Sequence, residues 1–147
     1  MTIEKAIDVA DNLRPNTFTY IQKVEWLSKL DNQIYEEIFL MARKNWTPEI
    51  IKEEIDGEII EKENPSRLVP VFEFEGYDEQ TPEGTELLAD TLYDNLYIDY
   101  LIAKYSYYSR EMESYNVATT VFNAQYQQYA NWYRQKYEPV KRRVQRI

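Results

Sequence analysis

The stretch of the chain from Thr91 to Tyr137 contains no glycine and no proline and reads TLYDNLYIDYLIAKYSYYSREMESYNVATTVFNAQYQQYANWYRQKY. Apolar and aromatic residues recur in it three or four positions apart, the spacing that places side chains on one face of an α-helix. These stripes contain Leu92, Leu96, Tyr100 and Ala103, and further on Tyr115, Ala118, Phe122, Tyr126, Tyr129 and Tyr133. The pattern therefore predicts helix through most of these 47 residues.

A single helix of this length is too long for a chain of 147 residues to cover. At 1.5 Å per residue it measures about 70 Å. Two antiparallel helices are the better prediction, with the break where helix propensity is weakest. Mediocre helix formers cluster between Glu113 and Thr120, so we place the break near Tyr115–Asn116.

Two more helices are predicted in the first third of the chain. Thr2 can cap a short helix that ends at Arg14, because proline at position 15 disfavours helical geometry in the residue before it. Thr19 and Gln22 form a capping-box pattern. The amphipathic segment that follows predicts a helix from Tyr20 to about Lys44.

The segment from about 46 to 86 has a different pattern. A short helix is possible after Thr47-Pro48-Glu49, but Gly57 interrupts it. Rough alternation from Leu68 to Phe74 indicates a short strand or hairpin arm, which Pro70 restricts to a sheet edge. We expect this to be the least regular part of the chain.

These elements predict a mainly α fold, a small bundle of three to five helices with a short β-hairpin or extended arm in the middle region. The length fits one domain. We assign it to residues 1–139, with an irregular acidic insertion at about 46–86 and a basic C-terminal tail at 140–147. Residues 1–13 have no apolar run of signal-peptide length, and no membrane association is expected.

Composition excludes several kinds of chemistry. The chain has no Cys and no His, which removes thiolate nucleophiles, imidazole ligands and histidine-dependent triads. Its three glycines are too far apart to form a phosphate-binding loop. Neighbouring carboxylates such as Glu36–Glu37 diverge on a helix, and Asp8, Asp11 and Asp31 are interpreted as surface charges or caps. We therefore expect no catalytic residue, no cofactor and no metal, and we do not expect an enzyme.

Charge is distributed unevenly. The net charge is −9, so the phosphate backbone of nucleic acids is repelled by the protein as a whole. Residues 134–147 carry +5, whereas residues 49–63 carry −5. The candidate acidic surface consists of Glu53, Glu54, Asp56, Glu58, Glu61 and Glu63. The basic tail is either a solvated chain end or a docking segment for an acidic neighbour, which in a homo-oligomer is the acidic segment of another copy.

Tyrosine is the compositional anomaly. The chain has 14 tyrosines, and eleven of them lie between positions 93 and 137. Some must form a core, but they occupy several helix faces, and tyrosine suits protein interfaces. Stacking on carbohydrate or nucleic acid is a lesser alternative. The candidate interface consists of Tyr105, Tyr107, Tyr108, Tyr129, Trp132, Tyr133 and Tyr137, and of the tail residues Lys141, Arg142, Arg143 and Arg146.

Short motifs along nearly the whole chain, in order, resemble those of the head–tail connector (adaptor) proteins of tailed phages and prophages of Gram-positive bacteria. They are Thr2-Ile3, Ala6-Ile7-Asp8, Asp11, Leu13, Pro15-Asn16, Lys23-Val24, Trp26-Leu27-Ser28, Leu30-Asp31, Ile34-Tyr35, Glu37-Ile38, Phe74, Gly76-Tyr77, Thr85-Glu86-Leu87-Leu88, Tyr93, Leu96-Tyr97, Tyr100-Leu101, Tyr115-Asn116, Phe122-Asn123 and Asn131-Trp132-Tyr133-Arg134. The chain departs from this pattern in an expanded acidic stretch at 43–64 and in a more basic tail.

The resemblance implies a structural virion protein, located in the neck and in the host cytoplasm during assembly. Its copies would form a ring, commonly of twelve, beneath the portal protein and present a docking surface to the stopper or tail-completion protein. Genomic DNA would pass through without specific binding, and the acidic segment would be a lumen or loop surface. The alternative is another tail-completion protein or a phage-encoded protein-binding module, which has a similar helical surface without ring closure.

Overall fold

The computed structural model describes residues 1–140 and confirms the predicted fold class. Four α-helices and one antiparallel hairpin make up its regular structure. Their bounds are α1 Ile3–Leu13, α2 Tyr20–Glu37, β1 Trp46–Ile55, β2 Glu58–Pro70, α3 Asn95–Tyr108 and α4 Met112–Lys136. Helices α3 and α4 form the largest helix–helix contact, and α1 and α2 pack against α3.

Both predicted N-terminal caps are confirmed. The Thr2 hydroxyl accepts a hydrogen bond from the Lys5 amide at 3.1 Å. At α2 the Thr19 hydroxyl accepts from the Gln22 amide, and the Gln22 side chain accepts from the Thr19 amide. The predicted end of α2 near Lys44 is wrong. The helix stops at Glu37, and two short 3₁₀ turns, Phe39–Met41 and Arg43–Asn45, lead into the hairpin.

The break between α3 and α4 lies six residues before the predicted position, at Ser109–Glu111. Arg110 has a positive φ of 59°. The amides of Arg110 and Glu111 bond back to the carbonyls of Tyr107 and Ser106, the two bonds of a Schellman C-cap. Because this position usually holds glycine, an arginine there hides the helix end from the sequence pattern.

The region predicted to be irregular contains a regular β-hairpin. Strand pairing continues from Glu49↔Asn64 to Ile55↔Glu58, and Asp56 and Gly57, both with positive φ, form the two-residue turn. The short helix that was possible after Pro48 does not form, because these residues pair across the two strands of the hairpin. Every residue from 50 to 63 is exposed, so the distal hairpin projects from the body by about 20 Å. Loops occupy 71–90.

The core lies between the four helices. Its fully buried side chains include Ile3, Leu27, Leu30, Leu96 and Leu101. The loop after the hairpin closes one side of this core, since the Tyr77 amide donates to the Ser28 hydroxyl at 2.9 Å. Backbone bonds from Ile3 to Thr85 and from Leu87 to Met1 then tie the loop to the start of the chain. The body is thus closed without the hairpin.

Candidate interaction surfaces

Most of the tyrosines serve the core of the subunit. Among the eleven tyrosines from position 93 to 137, Tyr97, Tyr105, Tyr129 and Tyr133 are buried, and Tyr107 and Tyr108 are exposed. The predicted interface role of Tyr105, Tyr129 and Tyr133 is therefore wrong for the folded subunit, because their rings are out of reach of a partner. The reason is that each ring has a polar partner inside the fold.

Asp31 is the centre of the first such arrangement. Its Oδ1 accepts from the Tyr97 hydroxyl, and its Oδ2 accepts from the Tyr77 hydroxyl and, at 3.0 Å, from the Leu88 amide. Burial raises the pKa of Asp31, and these three donors oppose the rise. The prediction of a surface charge is wrong for this residue. All of its neighbours are donors that join α2 to α3 and to the loop, so its role is structural.

Asp11 is the centre of a second arrangement that joins three helices. Its carboxylate accepts from Lys23 Nζ at 2.9 Å, from the Tyr105 hydroxyl at 2.8 Å and from Asn16 Nδ2 at 3.0 Å. Partial burial raises its pKa, but the hydrogen bonds outweigh burial and the pKa is lowered. Asp11 therefore fixes α1 to α2 and α3, whereas the sequence predicted a surface position.

Three further tyrosines have polar partners, two of them a carboxylate and one an amide. The Tyr129 hydroxyl donates to Asp90 Oδ1 at 2.9 Å, the Tyr126 hydroxyl donates to Glu37 at 2.6 Å, and Asn45 Nδ2 donates to the Tyr133 hydroxyl at 2.8 Å. Burial, followed by the nearby carboxylates, raises the pKa of Tyr126 and of Tyr129. These pairs account for much of the tyrosine excess without a second protein.

An aromatic groove remains open where α3 and α4 meet near their connection. It has a volume of about 400 Å³. Its lining consists of Tyr100, Ala103, Lys104, Tyr107, Tyr108, Tyr115, Thr119, Phe122 and Asn123. Among these described residues Lys104 alone carries a charge, and its Nζ lies 5.3 Å from the centre of the Tyr100 ring. The sequence pattern indicates Tyr107 and Tyr108 as surface aromatics but not the other lining residues. A lysine among tyrosines is the signal that could have pointed to them.

A second surface lies where the described chain ends. Trp132 and Tyr137 are half-buried there, and Lys44 Nζ lies 3.7 Å from the centre of the Tyr137 ring. The Val140 amide donates to the Met41 carbonyl at 2.9 Å, so the chain end lies beside the turns that precede β1. The predicted tail contacts Lys141, Arg142, Arg143 and Arg146 lie outside the described residues.

The predicted acidic residues come together on the distal hairpin. Glu53, Glu54, Asp56, Glu58, Glu61 and Glu63 are all exposed. Two ion pairs lie across the strands, Lys62–Glu53 at 3.4 Å and Lys52–Glu61 at 3.9 Å. Such exposed pairs contribute little to stability. Most of the negative charge on the hairpin therefore stays available to a partner.

Within residues 1–140, no group of three or more acidic side chains is arranged to hold a metal ion. In the same part of the chain, no helix is both long and apolar enough to cross a membrane. A scan against models of protein families and searches of curated proteins and of solved structures found no match to this chain.

Proposed function

We propose that the chain is a structural subunit of a phage or prophage neck, a head–tail connector that forms a ring beneath the portal and links it to the stopper or tail. The observation that carries the proposal is a closed helical body that leaves unlike surfaces open, among them a projecting acidic hairpin and an aromatic groove. Unlike surfaces suit the head-to-tail contacts from which closed rings are built. The resemblance of the sequence motifs points to the same role.

The charge supports a conduit for DNA. A surface that lines a DNA channel must not hold the phosphate backbone, and a net charge of −9 repels it. We place part of the acidic hairpin toward the lumen and expect the basic tail to contact the portal or an adjacent copy. The number of copies follows the portal, and the resemblance implies that such rings commonly contain twelve.

Mass photometry of the purified chain, alone and with the portal protein encoded in the same gene cluster, tests this function. We expect small species from the chain alone and a ring of added mass on the portal. A chain that never joins the portal, while it binds a different virion or host protein, would favour the alternative of a tail-completion protein or protein-binding module.

A further inference from the structure

The two faces of the hairpin differ in a way that selects one of them as a contact surface. Residues directly opposite in an antiparallel pair share a face, and neighbours along a strand alternate. The register therefore places Ile51, Ile55 and Ile60 on one face, where Ile60 is the diagonal neighbour of both others. Ile50 and Ile59 lie on the opposite face, separated by the Lys52–Glu61 pair.

Exposure agrees with this division. Ile51, Ile55 and Ile60 are 39%, 43% and 37% exposed, whereas Ile59 is 72% exposed. Each of the first three lies directly opposite a charged residue, because Ile51 pairs with Lys62, Ile60 with Glu53 and Ile55 with Glu58. Lys62 and Glu53 form an ion pair at 3.4 Å on this face. This hairpin face therefore combines three isoleucines with two carboxylates and one lysine, a net charge of −1.

The aromatic groove has the complementary character. Its walls are mostly aromatic rings, with Tyr107 and Tyr108 49% and 55% exposed. Lys104 is half-buried there, and burial, together with the nearby Lys29, lowers its pKa. The Thr119 hydroxyl is also out of solvent, with no hydrogen-bond partner among residues 1–140. An apolar ligand that brings a carboxylate would satisfy this site.

We propose that the face of the hairpin formed by Ile51, Ile55 and Ile60 docks in the aromatic groove of a second copy of the chain, with its carboxylates toward Lys104. The inference rests on the proposed function, because in a ring the partner of each subunit is a second copy of the same chain. Pairing of two hairpins is disfavoured, since residues 49–63 carry −5 in each copy. The groove lies near the α3–α4 connection, whereas the hairpin begins near the C-terminal end of α4. One hairpin–groove contact between each two neighbouring copies is heterologous, as a ring requires.

The contact is small. A stable interface takes roughly 20–30 residues from each partner, and the exposed hairpin has 14 residues on two faces. We therefore expect free copies to associate weakly and to be held when several contacts close a ring or a portal gathers them.

Disulfide capture tests the contact, because the natural chain has no cysteine. We would mix an I60C protein with a Y107C protein that carries a mass tag, oxidise them, and measure the tagged heterodimer by intact mass. The matched control is I59C with Y107C, since Ile59 lies on the other face of the same hairpin. We expect about tenfold more heterodimer from the first pair. Equal yields, or an excess of I60C homodimer, would overturn the proposal.

Two more variants sharpen the result. K104E in the groove protein should lower the capture about tenfold, because like charges then face each other, and adding E58K to the hairpin protein should restore it, since Glu58 lies on the docking face and Glu53 is already paired with Lys62. Circular dichroism would establish that both variants fold. An I60C/Y107C chain that closes an internal disulfide as a monomer would contradict docking between copies. The capture experiment contains no portal protein. Capture by a chain that does not bind the portal would therefore reject the connector function alone. Formation of rings on the portal without disulfide capture would reject this contact alone.

Discussion

Replacing Tyr97 by Phe tests whether the buried tyrosine–carboxylate pairs hold the body together. The substitution keeps the ring and removes one oxygen. That oxygen donates to Asp31 and accepts from the Ala89 amide at 2.7 Å. A hydrogen bond to a charged group contributes about 1.5–3 kcal/mol and a neutral one about 0.5–1.5 kcal/mol. We therefore expect Y97F to lower the free energy of unfolding by about 2–4 kcal/mol.

The loss should depend on pH. Burial raises the pKa of Asp31 above its usual value, so the folded protein holds this proton more tightly than the unfolded chain does. Ionisation of Asp31 thus costs stability as the pH rises through that pKa, and the Tyr97 hydroxyl limits the cost. Without the hydroxyl the loss of stability grows with rising pH. The difference between Y97F and wild type should be largest at neutral pH and shrink in acid.

Urea unfolding at several pH values is the measurement, with the free energy taken from the midpoint at constant slope. The matched control is Y107F, because Tyr107 is exposed and lies on the same helix. It should change the free energy by no more than about 0.5 kcal/mol. If Y97F and Y107F were equally stable, or if the Y97F deficit did not depend on pH, the structural role assigned to Asp31 would be refuted.

Three further predictions concern the turn, the α1 carboxylate and the tail. G57A should speed amide exchange in the hairpin about fivefold, since φ of +80° costs a side chain about 1 kcal/mol. The melting temperature of the body should hardly change. The control G84A, at a position with open space around it, should change neither the exchange rate nor the melting temperature. D11N should lower the free energy of unfolding by about 1 kcal/mol at neutral pH but not in acid. The reason is that the folded protein lowers the pKa of Asp11, so the ionised carboxylate contributes stability that is lost as the pH falls through that pKa. Urea unfolding at both pH values measures the difference. Deletion of 140–147 should weaken ring or portal assembly in mass photometry, and wild-type assembly would contradict the role of the tail.

Local signals predicted the helical part of the fold. The two threonine caps, the proline at position 15 and the apolar stripes all depend on residues within one or two helical turns, so a sequence carries them in full. The end of α3 is local as well, yet it was placed wrongly. Its Schellman bonds need a left-handed residue at position 110, and the sequence pattern does not indicate one there, because this conformation costs arginine more than glycine.

The hairpin could have been predicted further than it was. Asp56-Gly57 is a strong signal for a two-residue turn, and it lies between two isoleucine-containing segments. Paired isoleucines and paired glutamates obscured the alternation, because each face then holds both kinds of residue. A strand exposed on both faces lacks the one-sided apolar pattern that identifies a half-buried strand.

Burial of the tyrosines could not be predicted from periodicity. The apolar stripe of a helix shows which rings share a face, but it does not show which hydroxyls have a carboxylate as hydrogen-bond partner. The partners lie far away in sequence, 94 residues for Tyr105 and Asp11 and 66 for Tyr97 and Asp31. Only tertiary packing brings them together.

This burial changes the basis for assembly. An excess of aromatic surface no longer requires a partner, since the body satisfies most of its tyrosines internally. Our proposal of a partner rests instead on the distal hairpin, which contributes no core residue and exposes five isoleucines between positions 50 and 60. A two-stranded hairpin is only marginally stable in water, so a long exposed one gains most when a second surface covers one of its faces. In this proposal the aromatic groove of another copy is that surface. The proposal of a ring therefore depends on a few residues of the distal hairpin and the aromatic groove. Cysteines on opposite faces of the hairpin can distinguish this specific contact from random association.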